Sequence, residues 1–269
     1  MADLPFSLRP RQELESEPRF ASTLANGLDV LRCFSANQPA LGNKEISDAL
    51  GLSRPTVARL TFTLVTLGYL RKDEASKRYS LAPGVLSLIY PLLVQLTVRR
   101  VAEHELAALS EAAGGPISIG TRDLLQVVYV DTIHDRGNNG AKPDIGSPRP
   151  LLHTAIGRAL LYAQGIAERD MLLPLLVARE GLDADAIKAS LEQSFEQIAR
   201  NGFCTSYGSW RPELAGLAVP LRYRAGDLPL AVNLTQPIEV VKSGRIEEEY
   251  GPRLVQLAQS IDRRLGVDV

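Results

Sequence analysis

Hydrophobic positions along the chain follow two regimes. From Ala25 to about residue 81 they recur at the three- and four-residue spacing of short helices; beyond Gly115 they gather into strand-length runs separated by helical stretches. Leu28, Leu31, Cys33 and Phe34 keep helical spacing until Asn37, Pro39 and Gly42 interrupt it, so a first helix ends before about residue 38. The next run, NKEISDALG, places Ile46, Ala49 and Leu50 on one face, with Asn43 as N-cap and Gly51 as the stop. In GLSRPTVARL, Ser53 is a natural N-cap and Pro55 falls in the first turn. Its missing N–H costs nothing there, because the first N–H groups of a helix have no partner inside it. Val57, Leu60, Leu64 and Leu67 are predicted to form the buried stripe of this helix, leaving Arg54, Thr56, Arg59 and Thr63 on other faces. GYLRKDEASKRYSLAPG then reads as strand, polar turn and strand, with Asp73 to Ser76 in the turn. Two helices joined by a tight turn and followed by a hairpin predict a winged helix-turn-helix.

Residues 83–110 read as a linker whose first half, PGVLSLIYPLL, is apolar and broken by Pro91, and whose second half is amphipathic. An apolar helix that a small winged domain cannot cover needs a partner helix. After Gly115, apolar strands are expected at Ile117 to Gly120, Leu125 to Val130, Leu217 to Leu221 and Leu230 to Leu234. Helices are expected at Ile156 to Gln164, Glu168 to Leu176 and Asp185 to Asn201. A closing helix aligns Leu254, Leu257, Ala258, Ile261 and Leu265. The resulting division is a flexible arm over residues 1–22, a winged domain over 23–82, the linker over 83–110 and an α/β domain over 111–269, an α+β chain overall.

Charge sharpens the first half of this picture. The whole chain is nearly neutral, with 30 basic and 31 acidic residues. Between Gly51 and Tyr79, however, stand six basic residues (Arg54, Arg59, Arg71, Lys72, Lys77, Arg78) against two acidic ones. The excess coincides with the second helix and its hairpin, where phosphates of a duplex would lie. Arginine can fork onto guanine or phosphate, and threonine can donate to phosphate or touch a thymine methyl. The candidate DNA contacts are Asn43, Lys44, Ser53, Arg54, Pro55, Thr56, Arg59, Lys77 and Arg78, and the expected partner is double-stranded operator DNA.

Catalytic and metal patterns are absent from the sequence. It has no GxSxG, HExxH, GxxxxGK[ST] or strand-following GxGxxG. Cys33 and Cys204 form no CxxC, and His104, His134 and His153 lack ligand spacing. No cofactor or metal is expected. With no signal-like core and no run near the roughly 20 apolar residues that span a bilayer, a cytoplasmic protein is expected. An α/β enzyme with a basic appendage and a pure scaffold are the competing readings; the first lacks a catalytic constellation and the second needs no polar pocket.

The order GLDVLRCF, KEISDALGLSRPTVARLTFTLVTLGYL and KRYSLAPGVL resembles the DNA-binding domain of the IclR family of bacterial transcription regulators. The resemblance continues through VVYVDTI, GSPRPLLHTAIGRALL and NGFCTSYGSWRPELAGLAVPLRYRAGDLPLAVNLTQP, covering about Ala25 to Leu265. It implies a GAF-like effector-binding fold in the second half, dimer contacts through the linker, a homodimer or dimer of dimers, and a small-molecule carboxylate effector. By that resemblance the amides of Ala155 and Ile156 receive the carboxylate, with Thr154 helping to cap the helix. Asn233 and Thr235, at i, i+2 spacing, face them from one side of the sheet, and Ser206, Leu214 and Gly216 also line the pocket. Many relatives carry an acidic cluster where this chain has Ser206, Tyr207, Gly208 and Ser209, and a bulkier residue at Gly216. Lost carboxylates and added room, with aromatic surface from Tyr207 and Trp210 if they face inward, imply a larger and partly aromatic organic acid.

Overall fold

The structure, a computed structural model, describes residues 11–134, 144–181, 183–241 and 246–268. The chain forms two units divided between Val94 and Gln95. That division falls inside the expected linker.

In the N-terminal unit, a short helical turn α1 (Arg11–Glu15) precedes α2 (Ser22–Arg32), α3 (Asn43–Leu50) and α4 (Arg54–Thr66). The hairpin β1 (Leu70–Lys72) and β2 (Tyr79–Leu81) follows, in antiparallel register Leu70↔Leu81 and Lys72↔Tyr79. Leu41 bridges Tyr79 through two backbone hydrogen bonds of 2.9 and 2.8 Å, which ties the α2–α3 connection to the wing. Val30, Leu41, Ile46, Val57, Leu60, Leu64, Leu70 and Tyr79 form the core.

Two details differ from the sequence pattern. The N-cap of α3 is Gly42, not Asn43: Gly42 is extended (φ −92, ψ 168), and its N–H donates to Glu45 Oε2 at 2.7 Å. That back-bond closes the helix start one residue early. On α4 the buried stripe is Val57, Leu60, Thr61 and Leu64, whereas Leu67 is exposed. The i, i+3, i+4, i+7 spacing continues to position 68, where Gly68 turns the chain out of the helix at φ +79, so Leu67 falls beside the stripe. Thr61 is fully buried because its hydroxyl donates to Val57 O at 2.9 Å.

Helix α5 (Gly84–Gln95) runs through Pro91 instead of breaking there. The break comes at Leu96, whose backbone is non-helical (φ −77, ψ 71) and whose side chain is buried. No residue of α5 is buried, and Leu86, Leu88, Tyr90, Leu92 and Val94 stand exposed.

The C-terminal unit begins with α6 (Thr97–Ala113) and continues through β3 (Ile117–Asp123), β4 (Gln126–Ile133) and β5 (Pro148–Pro150). Helices α7 (Ala155–Ala163), α8 (Ile166–Glu180) and α9 (Ala184–Asn201) follow. The chain then returns through β6 (Cys204–Tyr207), β7 (Leu214–Ala225) and β8 (Leu228–Pro237). A short helix α10 (Ile238–Val241) and a π-helical turn (Ile246–Tyr250) lead to α11 (Gly251–Arg264). The strands form one antiparallel sheet in the order β5-β4-β3-β8-β7-β6. Both short strands that the sequence pattern misses, β5 and β6, lie at its edges; an edge tolerates the two prolines of β5 because one side needs no donors. Leu265, expected on the buried stripe of α11, is only half-buried.

Helix α7 packs on one face of the sheet, and α6 and α11 pack together across the other. On the α7 face the strands present small residues: Gly120, Ala231, Ala218, Gly216 and Ser206. A Cβ at Gly157 would lie 2.0 Å from Leu151 O, so no larger side chain fits where the helix leaves its preceding loop. On the opposite face Asp262 of α11 accepts the backbone N–H groups of Arg222 and Tyr223 at 3.1 and 2.9 Å. Gly157→Ala is expected to destabilise the C-terminal unit by about 3 kcal/mol, the upper end of overpacking costs. Urea unfolding followed by circular dichroism reads this as an earlier transition, and an unmoved midpoint contradicts the close approach.

Candidate functional site

At the reading face of the N-terminal unit, Ser53 caps α4 as its pattern predicts: Ser53 Oγ accepts from Thr56 N at 3.3 Å and lies 2.8 Å from Thr56 Oγ1. Pro55 is the second residue of the helix. Arg54, Arg59 and Lys44 are exposed, with no ion-pair or hydrogen-bond partner among the described residues. These three cations are therefore open to an outside anion.

Other candidates carry structural work. Asn43 Oδ1 accepts from the buried Thr61 hydroxyl at 3.3 Å, tying α3 to α4. Arg78 donates to Ala40 O and Glu45 Oε1, both at 2.8 Å, and so clamps the wing to the start of α3. Its partner Glu45 has its carboxyl held below the usual range, first by the Gly42 amide and then by Arg78. Lys77, in the left-handed region at φ 57, pairs with Glu74 at 2.8 Å. Both wing cations, predicted as DNA contacts, thus sit in internal pairs, though Lys77 remains largely exposed.

In the C-terminal unit the sheet assembles the second set of candidates. Ser206, Gly216 and Thr235 form one cross-strand row over β6, β7 and β8, and Asn233 lies two residues along on the same face. Above this row stands the start of α7: a Cβ at Gly216 would lie 3.4 Å from Ala155 Cβ and 3.9 Å from Ala155 N. Thr154 is the N-cap; its Oγ accepts from Gly157 N at 3.2 Å and donates to Pro150 O at 2.7 Å. The cap takes the third amide and leaves those of Ala155 and Ile156, which no helix can satisfy internally. Leu214 belongs to the same face one pair further along, opposite Pro237.

The polar groups beneath are only partly satisfied. Asn233 is 3% exposed; its Nδ2 donates to Thr235 Oγ1 at 2.9 Å, while its Oδ1 is buried with no partner among the described residues. Tyr129, from β4, extends this cluster. Its ring is buried and its hydroxyl interacts with Asn233, Thr235 and Arg149, while burial, outweighing those partners, pushes its pKa up. The Arg149 guanidinium lies 4.8 Å from the Tyr129 ring centre and 5.0 Å from that of Trp210.

Sequence reasoning missed Tyr129 and Arg149. Arg149 stands between two prolines just ahead of the pocket helix, a position that strand patterning leaves blank. Tyr207 does not supply the inward aromatic surface expected of it. Strand alternation turns it away from Ser206, and its hydroxyl bonds Glu247 on the other face of the sheet; burial, with that carboxylate, pushes it up to about 12. Trp210 does flank the cluster, between Arg149 and Arg211. A cavity of about 290 Å³ elsewhere, between α7 and α9, is lined by Leu152, His153, Arg158, Asp183, Ile187 and Leu191 and contains none of the predicted effector residues. There His153 pairs with Glu180, and Arg158 donates to Leu152 O and Ser194 Oγ, so its polar groups already have internal partners.

Two family models match the chain: the IclR helix-turn-helix domain over residues 23–74 and the bacterial transcriptional regulator IclR C-terminal domain over residues 91–263. The HTH-type transcriptional regulator TsaQ1/TsaQ2 of Comamonas testosteroni is 30% identical over 258 residues, spanning 95% of this chain and 92% of that protein. An IclR family transcriptional regulator from Brucella abortus superposes with a TM-score of 0.85 at 36% identity, covering 96% of this chain and 97% of that one. A homologue from Microbacterium hydrocarbonoxydans, solved with 4-hydroxybenzoate, has the same fold at a TM-score of 0.71 and 18% identity, over 90% and 98% of the two chains.

The contrast between Arg78 and Arg59 yields a test. Arg78→Ala removes two bonds from a half-exposed clamp and is expected to cost about 1 kcal/mol of winged-domain stability. Arg59→Ala, with no internal partner to lose, is expected to leave the melting temperature unchanged. Equal losses in thermal scans of both variants contradict the assignment.

Proposed function

The chain belongs to the IclR family of bacterial transcription regulators, and from that premise we propose that it is a ligand-responsive, sequence-specific regulator controlling catabolism of a small, planar organic acid. The observation that carries the effector half of this reading is the buried Oδ1 of Asn233. A buried acceptor without a donor is costly, and here it lies on the sheet face beneath two free helix amides. An acid bound between them gives its carboxylate to the amides of Ala155 and Ile156 and a donor group to Asn233. The Microbacterium homologue, bound to 4-hydroxybenzoate, is a protein of the same fold holding a planar aromatic acid.

For the DNA half, Arg54, Thr56 and Arg59 at the exposed start of α4 enter the major groove, while Lys44 and Lys77 meet phosphates. The working form is a homodimer or a dimer of dimers. The exposed apolar side chains of α5 supply a surface that a second copy covers, and two reading helices double the base contacts. Effector binding biases an equilibrium between assembly states, and operator affinity changes by as much as the effector distinguishes those states. Among the described residues no single helix is long and apolar enough to cross a membrane. The matched relatives bear the names of transcription regulators, so the competing enzyme reading has no observation in its favour.

In electrophoretic mobility shift against the DNA flanking its own gene, binding is expected to fall steeply with salt, and Arg59→Ala is expected to cost about 1–3 kcal/mol. Undiminished binding by that variant rejects the docking face. Gly216→Ala places a methyl 3.9 Å from Ala155 N, in the space proposed for the carboxylate, and is expected to weaken effector binding at least about tenfold without loss of fold. Thermal shift against a panel of aromatic carboxylates reads this, and a variant stabilised as much as the parent rejects the pocket's position.

A further inference from the structure

The effector pocket as proposed uses the amides of α7 for one anionic group and leaves a second cationic group unexplained. Arg149 is half-buried and makes no ion pair with a carboxylate among the described residues. It donates to the carbonyl of its neighbour Pro148 at 2.7 Å and interacts with the Tyr129 hydroxyl. A guanidinium withdrawn partly from water and left without a counter-ion is held at a cost, which an anion in the site removes.

Its setting fixes where it can act. Arg149 pairs with Val127 in the register of β5 on β4, two residues from Tyr129 and on the same face. The rings of Tyr129 and Trp210 lie 4.8 and 5.0 Å from its guanidinium carbon, and two aromatic faces restrict its rotation. Arg211 lies 4.5 Å from the Trp210 ring centre, adding a second positive charge to this end of the site. From Arg149 the polar path runs through Tyr129 to Asn233 and Thr235, and from Thr235 one strand step reaches Gly216, beside Ala155 N. That step alone is about 5 Å, and the Tyr129 hydroxyl lies between it and Arg149, so a ligand that meets both receptors must be longer than a single carboxylate.

We infer that Arg149 is an effector-binding residue that sets specificity, and that the effector is a planar acid with two anionic groups, one on the amides of Ala155 and Ile156 and the other on Arg149. This rests on the pocket reading above and adds the second charge. Tyr129 and Trp210 position the guanidinium and flank the ring of the ligand. A monoanionic acid of the same shape fills the space but leaves Arg149 unpaired, and the site discriminates against it.

Trp210 is the only tryptophan of the chain, so its fluorescence reports binding in the intact protein. Terephthalate, 4-methylbenzoate and succinate supply a planar dianion, a planar monoanion and a flexible dianion. Terephthalate is expected to bind the parent chain at least about tenfold more tightly than either of the others. Arg149→Met is expected to erase its advantage over 4-methylbenzoate, while Arg149→Lys keeps part of it; circular dichroism confirms that both variants fold. Equal affinity of the parent for terephthalate and 4-methylbenzoate, or unchanged terephthalate binding by Arg149→Met, overturns the role of Arg149 and leaves the pocket standing. Silence toward all three compounds in the parent overturns both readings.

Discussion

The close approach of α7 to the sheet is the constraint on which the C-terminal unit depends. A helix normally keeps its terminal amides at the edge of a fold, where water satisfies them. Here Gly216 and Gly120 leave the strands bare beneath the first turn, and Gly157 lets that turn close against the carbonyl of Leu151. The helix therefore sinks until Ala155 and Ile156 are themselves buried, each about 1% exposed. In the proposed pocket their two amides face side chains of β4, β7 and β8, away from bulk solvent. An anion meeting them there interacts in a medium of lower dielectric than water, and the interaction strengthens accordingly. The same burial leaves Asn233 Oδ1 without a donor among the described residues and pushes the Tyr129 pKa up. One steric condition, small residues at the crossing, produces the whole polar interior.

Local chemistry made much of this visible before any coordinates. Ser53 and Pro55 announce the start of α4 because capping and the first-turn tolerance of proline act within four residues. Gly51, at φ 66, ends α3 for an equally local reason. The misreadings arise where a distant partner decides. Asn43 reads as a cap by type, yet Glu45 reaches back to Gly42, and Asn43 is free to accept from Thr61, 18 residues away. The apolar stripe of α4 leaves Thr61 out, but its own helix carbonyl satisfies its hydroxyl and lets it be buried. Arg78 looks like part of a basic patch, and only the folded wing shows it spent on Ala40 and Glu45, the latter 33 residues away. Tyr207 is the exception, since strand alternation alone separates it from Ser206. Of the pocket, the row Ser206, Gly216 and Thr235 with Asn233 came from resemblance and spacing. Tyr129 sits on the expected strand β4, but only the register of β4 on β3 brings it to the cluster, and Arg149 comes from a sheet edge that two prolines hide from any pattern.

The two units divide their charge in opposite ways, and function follows from the division. On α4 the cations Arg54 and Arg59 are exposed and, among the described residues, unpaired, so their effect is long-ranged, weakened by salt and tolerant of position. Such charges collect DNA without committing to a geometry; base-edge contacts at the start of α4 must supply the rest. In the C-terminal unit the cation at the pocket is half-buried, stacked and held, so its effect is short-ranged and geometric. The first arrangement suits a long polyanion met many times along its length, and the second suits one small acid of fixed shape. Near-neutrality of the whole chain hides both.

A regulator of this build is limited by linkage and not by how tightly it binds its effector. In the proposed mechanism, binding shifts operator affinity only by the ratio of effector affinities in the two assembly states, so a pocket equally formed in both transmits nothing. The pocket must therefore change shape between states, and some of its walls are better placed to change than others. Helix α7 is fixed by the close approach of Gly157 to Leu151 and by its cap, and the sheet is fixed by the ladders that join β4, β3, β8 and β7. Edge strand β5, three residues long and flanked by prolines, is held by few ladder bonds, and Trp210 lies in the connection between β6 and β7. Arg149 and Trp210 thus belong to the softer wall and the α7 amides to the rigid one. An acid that reaches both ends pulls the soft wall toward the hard one, whereas an acid confined to the amides does not. Discrimination between effectors and transmission of the signal then arise from the same contact.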